Sequence, residues 1–182
     1  MPVRSKFAAA APKGALHTCL ALVLRAVNGL VRLAGAISTG LILLAFALTI
    51  YAVFQRYLMN APLRWSDDVT GWALVALIMF GVAEAYRQDV HISIDLVTAR
   101  LRGRAAKAQR AFADLAVLVF AAVLGISSWE AVSFARSFEA YTSGTVEVPL
   151  WAVQLPLVAG AALLALMALA RILSRFAHGD ET

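Results

Sequence analysis

Apolar stretches with few or no charges recur four times along the chain, separated by shorter segments that collect most of the Lys, Arg, Asp and Glu residues. The first, 33–54, is uncharged. The second, 69–86, holds Glu84 near its end, and the third, 112–134, holds Asp114 and Glu130 toward opposite ends. The fourth, 148–170, is again uncharged. All approach or exceed the roughly 20 residues that a helix needs to cross about 30 Å of hydrocarbon. The pattern therefore predicts an all-α membrane protein with four transmembrane helices. Within the first helix, Ser38, Thr39, Gly40 and Thr49 are small enough for close helix packing. Pro149 stands where a first-turn proline is tolerated, and Pro156 predicts a kink further in.

Upstream, Ala15 to Leu24 follows Arg4, Lys6 and Lys13 and has the look of a signal-peptide core. Arg25, Asn28 and Arg32 follow at once and argue against it. At about 100° per residue, His17, Arg25, Asn28 and Arg32 share one side, with Leu16, Leu20, Val23, Val27 and Val31 opposite. This predicts an N-terminal amphipathic interfacial helix. Residues 1–32 then form a basic cytoplasmic segment, 33–172 the four-helix domain, and 173–182 a cytoplasmic tail. No internal repeat or low-complexity linker divides the chain further.

Composition supports a bilayer. In 182 residues the hydrophobic share is 62% and the charged share 15%, against about 45–50% and about 25% in average globular chains. A net charge of +5 raises the question of nucleic acid, but the cations lie between apolar runs and not among exposed aromatics, so no nucleic-acid partner is expected. The single Cys19 excludes an internal disulfide and any Cys-based metal centre within the chain. His17 and Thr18 before it stand where a lipidation signal carries small residues.

Cations also set the orientation, because cytoplasmic loops carry the Lys/Arg excess. Arg4, Lys6, Lys13, Arg25 and Arg32 precede the first span; Arg87, Arg100, Arg102, Arg104, Lys107 and Arg110 lie between the second and third; Arg171 and Arg175 follow the fourth. The other two connections hold Arg56, Arg64 and Arg136 alone. Both termini are expected in the cytoplasm, which places Trp65, Trp72, Trp129 and Trp151 at the outer interface. The Arg100–Arg110 stretch is read as a topology determinant that meets anionic lipid headgroups.

The residues offer little chemistry of their own. None of His17, His91 and His178 falls within a spanning stretch, so axial ligation of haem is not expected. A self-sufficient transporter would carry ionisable groups or broken helices near mid-membrane. Glu84, Asp114 and Glu130 instead lie toward helix ends. Glu84 and Arg87 have the i,i+3 spacing of a helical ion pair. Glu130 is read first as paired or reaching toward headgroups, with a functional role as the competing reading. No catalytic, cofactor-binding or metal-binding residue is assigned, and the chain is not expected to be an enzyme. Asp67 and Asp68, before Val69, suit a helix N-terminus.

One run is more specific. Arg56-Tyr57, Asn60-Ala61-Pro62, Trp65-Ser66-Asp67-Asp68, Gly81-Val82-Ala83-Glu84, Arg87 and His91-Ile92-Ser93-Ile94-Asp95 occur in an order and spacing that resembles the small membrane subunit, DctQ-like, of the tripartite ATP-independent periplasmic (TRAP) transporters. The four-helix layout extends the resemblance over 33–172. In that family a pair of Glu often follows the Trp, with an Arg three residues beyond; here Asp67 and Asp68 are followed by Gly71-Trp72. The resemblance implies a bacterial inner-membrane secondary transporter. A large permease subunit would move substrate, coupled to an ion gradient, and a periplasmic binding protein would deliver an organic acid. Substrate and ion sites are implied in the large subunit, and none is carried over here. Arg56, Asn60, Pro62, Trp65, Asp67 and Asp68 would order the first outer connection or meet the binding protein, the former being favoured. Ser38/Gly40, Gly71/Ala73 and Gly160/Ala161 are packing faces, either within the chain or toward the partner. The alternatives are a cofactor-free anchor of a respiratory complex and the small membrane component of a tricarboxylate-type transporter.

Overall fold

In the computed structural model residues 13–88 and 104–178 are described, with side chains at 22–88, 109 and 111–174. They form four α-helices: α1 (Lys13–Tyr57), α2 (Trp65–Arg87), α3 (Arg104–Ser137) and α4 (Leu150–His178). Each contains a stretch long and apolar enough to span a membrane: Leu22–Tyr57, Trp65–Arg87, Ala111–Ser137 and Leu150–Ser174. His91 and Asp95 lie outside the described residues, as do the side chains of His17 and Cys19.

The helices run past the apolar stretches that announce them. Hydropathy marks where a segment meets lipid, whereas backbone hydrogen bonding continues through charged residues once the helix reaches water. So α1 runs through Arg56, α3 begins at Arg104, and α4 continues beyond Arg171. Pro149 is not in the first turn of α4 but just before it. An antiparallel bridge pairs Tyr141 with Pro149, and the Leu150 amide donates to the Ala140 carbonyl at 2.8 Å, so this residue belongs to the connection. Pro156 does lie inside α4, where its missing N–H leaves the Ala152 carbonyl without its helical donor.

The amphipathic segment expected at 15–32 is helical, yet it is no separate element. It continues into the first span as one helix of 45 residues, about 67 Å long. No proline interrupts it, and Gly29, Gly35 and Gly40 are single and well spaced. Val27 is half-buried and Val31 fully buried, while Arg25 and Arg32 are exposed. Since α2 has 23 residues, about 35 Å, α1 reaches far beyond the end of its neighbour.

Packing joins α1 to α2, α2 to α4 and α4 to α3, with a minor contact between α1 and α4. The result is a row with α2 and α4 inside and α1 and α3 at the edges. Its core gathers Val31, Ala83, Tyr86, Ala121, Leu164, Met167 and Ala168. Alanines make up most of the buried apolar positions among the described residues, as expected where lipid is as apolar as the protein and association rests on close contact. Helix meets helix backbone at Gly160, where an added Cβ would lie 2.6 Å from Met79 Cβ and 2.7 Å from its carbonyl oxygen. Ser38 Oγ donates to the Leu77 carbonyl at 2.7 Å and fastens α1 to α2. Ser38 and Gly160 therefore pack within the chain, whereas nothing lies within 4 Å of a Cβ built on Gly40 or Gly71.

Candidate functional site

Among the described residues, the polar side chains expected to carry function gather at the two ends of α2, except Glu130, which is exposed on α3. At its start, α1 terminates through Asn60, whose φ of 52° is left-handed, a conformation that Asn adopts more readily than most residues. The Ala61 amide donates to the Gln55 carbonyl at 3.1 Å, and Pro62 follows, exposed. Trp65 opens α2. Ser66, 2% exposed, donates from Oγ to the Leu63 carbonyl at 2.7 Å. Arg56 and Asp67 are exposed.

Asp67 and Asp68 do occupy the first turn of α2, where carboxylates complement the helix dipole, but no side chain makes a capping hydrogen bond. Asp68 reaches elsewhere. Its Oδ2 accepts the amides of Thr145 at 2.7 Å and Val146 at 3.3 Å, tying α2 to the α3–α4 connection. Gly144 leaves room for that carboxylate; any Cβ there would overlap it. The connection is also braced internally: Thr142 Oγ1 donates to the Val146 carbonyl at 2.6 Å and accepts from the Val148 amide at 3.1 Å. Where α3 ends, Glu139 has a φ of 46°, and the Ala140 amide donates to the Ala135 carbonyl at 3.0 Å. This is a Schellman-type stop built with a non-glycine residue.

At the other end of α2, Arg87 Nε and Nη2 donate to the two oxygens of Glu84 at 2.7 and 2.6 Å. Gln88 adds a further donor to Glu84. Gly35 of α1 makes space for the Glu84 stem, since a Cβ there would sit 2.6 Å from Glu84 Cγ. Beside this pair, the Tyr86 hydroxyl donates to Asp114 Oδ1 of α3 at 2.6 Å. Arg171 of α4 stacks over the Tyr86 ring at 4.4 Å and donates to the Arg87 carbonyl at 3.1 Å. Four helices thus meet around one polar knot. Asp114 is 3% exposed and belongs to the interior, not to a helix edge.

Sequence spacing points to Glu84 and Arg87 but misses Tyr86 and Arg171. The signal was present as an acid in α3 and a Tyr and an Arg at matching helix ends, but no local pattern relates them. Trp65 and Trp151 stand at helix starts, whereas Trp72 and Trp129 lie about two turns further in. Arg136 approaches the Trp151 ring at 6.0 Å.

What this arrangement does is mechanical. The carboxylates of Asp68 and Asp114 accept hydrogen bonds that tie α2 to the α3–α4 connection and to α3, Glu84 is held by Arg87 of its own helix, and no group of three or more His, Cys, Asp or Glu side chains poised for a metal occurs among the described residues. The family model of the tripartite ATP-independent periplasmic transporters, DctQ component, matches residues 45–178. That is well over half of the chain. The chain belongs to the DctQ family. No curated protein matches it. The DctQ match runs from the last turns of α1 through α4 and so takes in both polar clusters. A DctQ chain is a component of a transporter, not of a catalytic family. It is the small TRAP subunit, whose partners are the large TRAP permease and a binding protein. With four helices suited to spanning a bilayer, this DctQ protein is a multi-pass protein of the inner membrane.

Proposed function

We propose that this chain is the stationary scaffold beside the large permease subunit during ion-coupled uptake of an organic acid delivered by the periplasmic binding protein. One observation supports this reading above others. Ser38, Tyr86, Asp114 and Arg171 make hydrogen bonds from one helix to another, and the apolar side chains of the row's edges, from Leu33, Ile37 and Leu43 on α1 to Val119 and Val123 on α3, face outward. Such an object offers surface and rigidity, not a transport path. The Lys and Arg distribution supports an orientation with both termini in the cytoplasm and the basic stretch between the second and third spans against anionic headgroups. A phosphatase fused after Thr182 is then expected to be inactive, and an active one would reverse the orientation.

Reconstitution into liposomes tests the function. With permease and binding protein present, adding this chain is expected to enable uptake driven by an ion gradient, and omitting it to abolish uptake. Accumulation of substrate by liposomes holding this chain alone would overturn the scaffold reading.

A further inference from the structure

Beyond Asp67 and Asp68 in the first turn of α2, three acids lie within the spans, and the fold provides for two of them. Glu84 is gripped by Arg87, and Asp114 accepts the Tyr86 hydroxyl. Glu130 is exposed, and no hydrogen bond or ion pair reaches it among the described residues. Its direction is defined by α3 itself. Ala121, Ser128, Val132 and Ala135 are the buried positions, and at about 100° per residue Glu130 falls on the opposite side of the helix. The same outward side carries Phe112, Val119, Val123, Ile126 and Phe134, all exposed. It is an apolar ridge on the edge helix of the row, interrupted by one carboxylate.

Depth makes that carboxylate informative. The Leu150 amide bonds to the Ala140 carbonyl, so the end of α3 is level with the start of α4, where Arg136 meets Trp151. From Ser137 down to Glu130 the helix descends by about 10 Å, further than a glutamate side chain extends. Arg136 lies well around the helix from Glu130 and its guanidinium is already placed over Trp151. A carboxylate facing hydrocarbon at this depth is costly, and acids in spans pair with cations or face protein.

We infer that the outward ridge of α3 is the surface that docks on the large permease subunit, and that Glu130 receives a lysine or arginine side chain from it inside the bilayer. This rests on the scaffold reading above and adds a face and a chemistry to it. Charge complementarity selects the occupant. In a membrane, a two-fold contact between copies of this chain brings equivalent residues together at equal depth, which would set two Glu130 carboxylates against each other. A charge-assisted hydrogen bond to a cationic side chain satisfies the group and fixes register.

The test uses the complete complex in native membranes, with the photo-crosslinker p-benzoylphenylalanine placed at Val123 or Phe134, Glu130 being retained, and at Leu43 of α1 as a control. Val123 and Phe134 are expected to crosslink to the large permease, and Leu43 is not. In the unlabelled chain, Glu130→Lys is expected to lower the co-purified permease by at least about tenfold, while Glu130→Asp retains it. Lipid adducts alone, or crosslinks to a second copy, from both ridge positions in an intact complex would overturn the inference. So would wild-type retention of the permease by Glu130→Lys. If the unmodified chain retains no large permease at all, the scaffold reading fails and this inference falls with it.

Discussion

Asp68 carries more of the structure at the start of α2 than its place in a sequence would indicate. As a first-turn acid it suits the dipole of α2, but its main hydrogen bonds run across the fold, to the Thr145 and Val146 amides. Hydrogen bonds to a charged acceptor contribute about 1.5–3 kcal/mol each in protected sites, and partial exposure brings the pair toward the lower end. Asp68→Ala is therefore expected to destabilise the purified protein by about 1–2 kcal/mol and to expose 142–148 to protease. Unchanged thermal unfolding together with unchanged proteolysis would show that Thr142 holds the connection by itself. Legibility in the sequence divides in the same way among single residues. Glu84 and Arg87 are three apart on one helix, so their pairing follows from spacing. Tyr86 and Asp114 are 28 apart on different helices, and only the packed fold relates them.

Helices are the level at which the apolar pattern is most informative and least exact. All four spans are readable because a run of roughly 20 apolar residues suits a bilayer crossing and little else. Their ends are not, since charges at the water boundary do not stop a helix. Likewise α1 shows why a change from amphipathic to fully apolar composition does not make a break: nothing between Lys13 and Tyr57 removes a backbone donor. Small residues are visible in the sequence but not their partners. Gly160 meets the Met79 backbone and Gly71 meets nothing, although both look like packing positions. Gly160→Val should cost about 1–3 kcal/mol as an overpacked seam between α2 and α4, whereas Gly71→Ala should leave the isolated chain as stable as before. Thermal unfolding of the two variants in detergent checks this, and equal stability would refute the assigned seam.

At the scale of the molecule, a row of helices has more edge than a square bundle, and that shape is not written in any one segment. It depends on which seams close: α1 on α2, α2 on α4, α4 on α3. The polar knot of Glu84, Arg87, Tyr86, Asp114 and Arg171 draws side chains from α2, α3 and α4 to one end, which gives the row rigidity without a ligand. DctQ membership was legible because its residues are ordered along 56–95, a local pattern that survives without tertiary information. The central claim, that this chain works as the fixed companion of a larger permease, is tested most directly by recovering the tagged protein from its native membrane in mild detergent and weighing what comes with it. The account predicts one large TRAP permease in stoichiometric amount. A redox subunit in its place, or this chain alone from membranes that retain full transport activity, would contradict it.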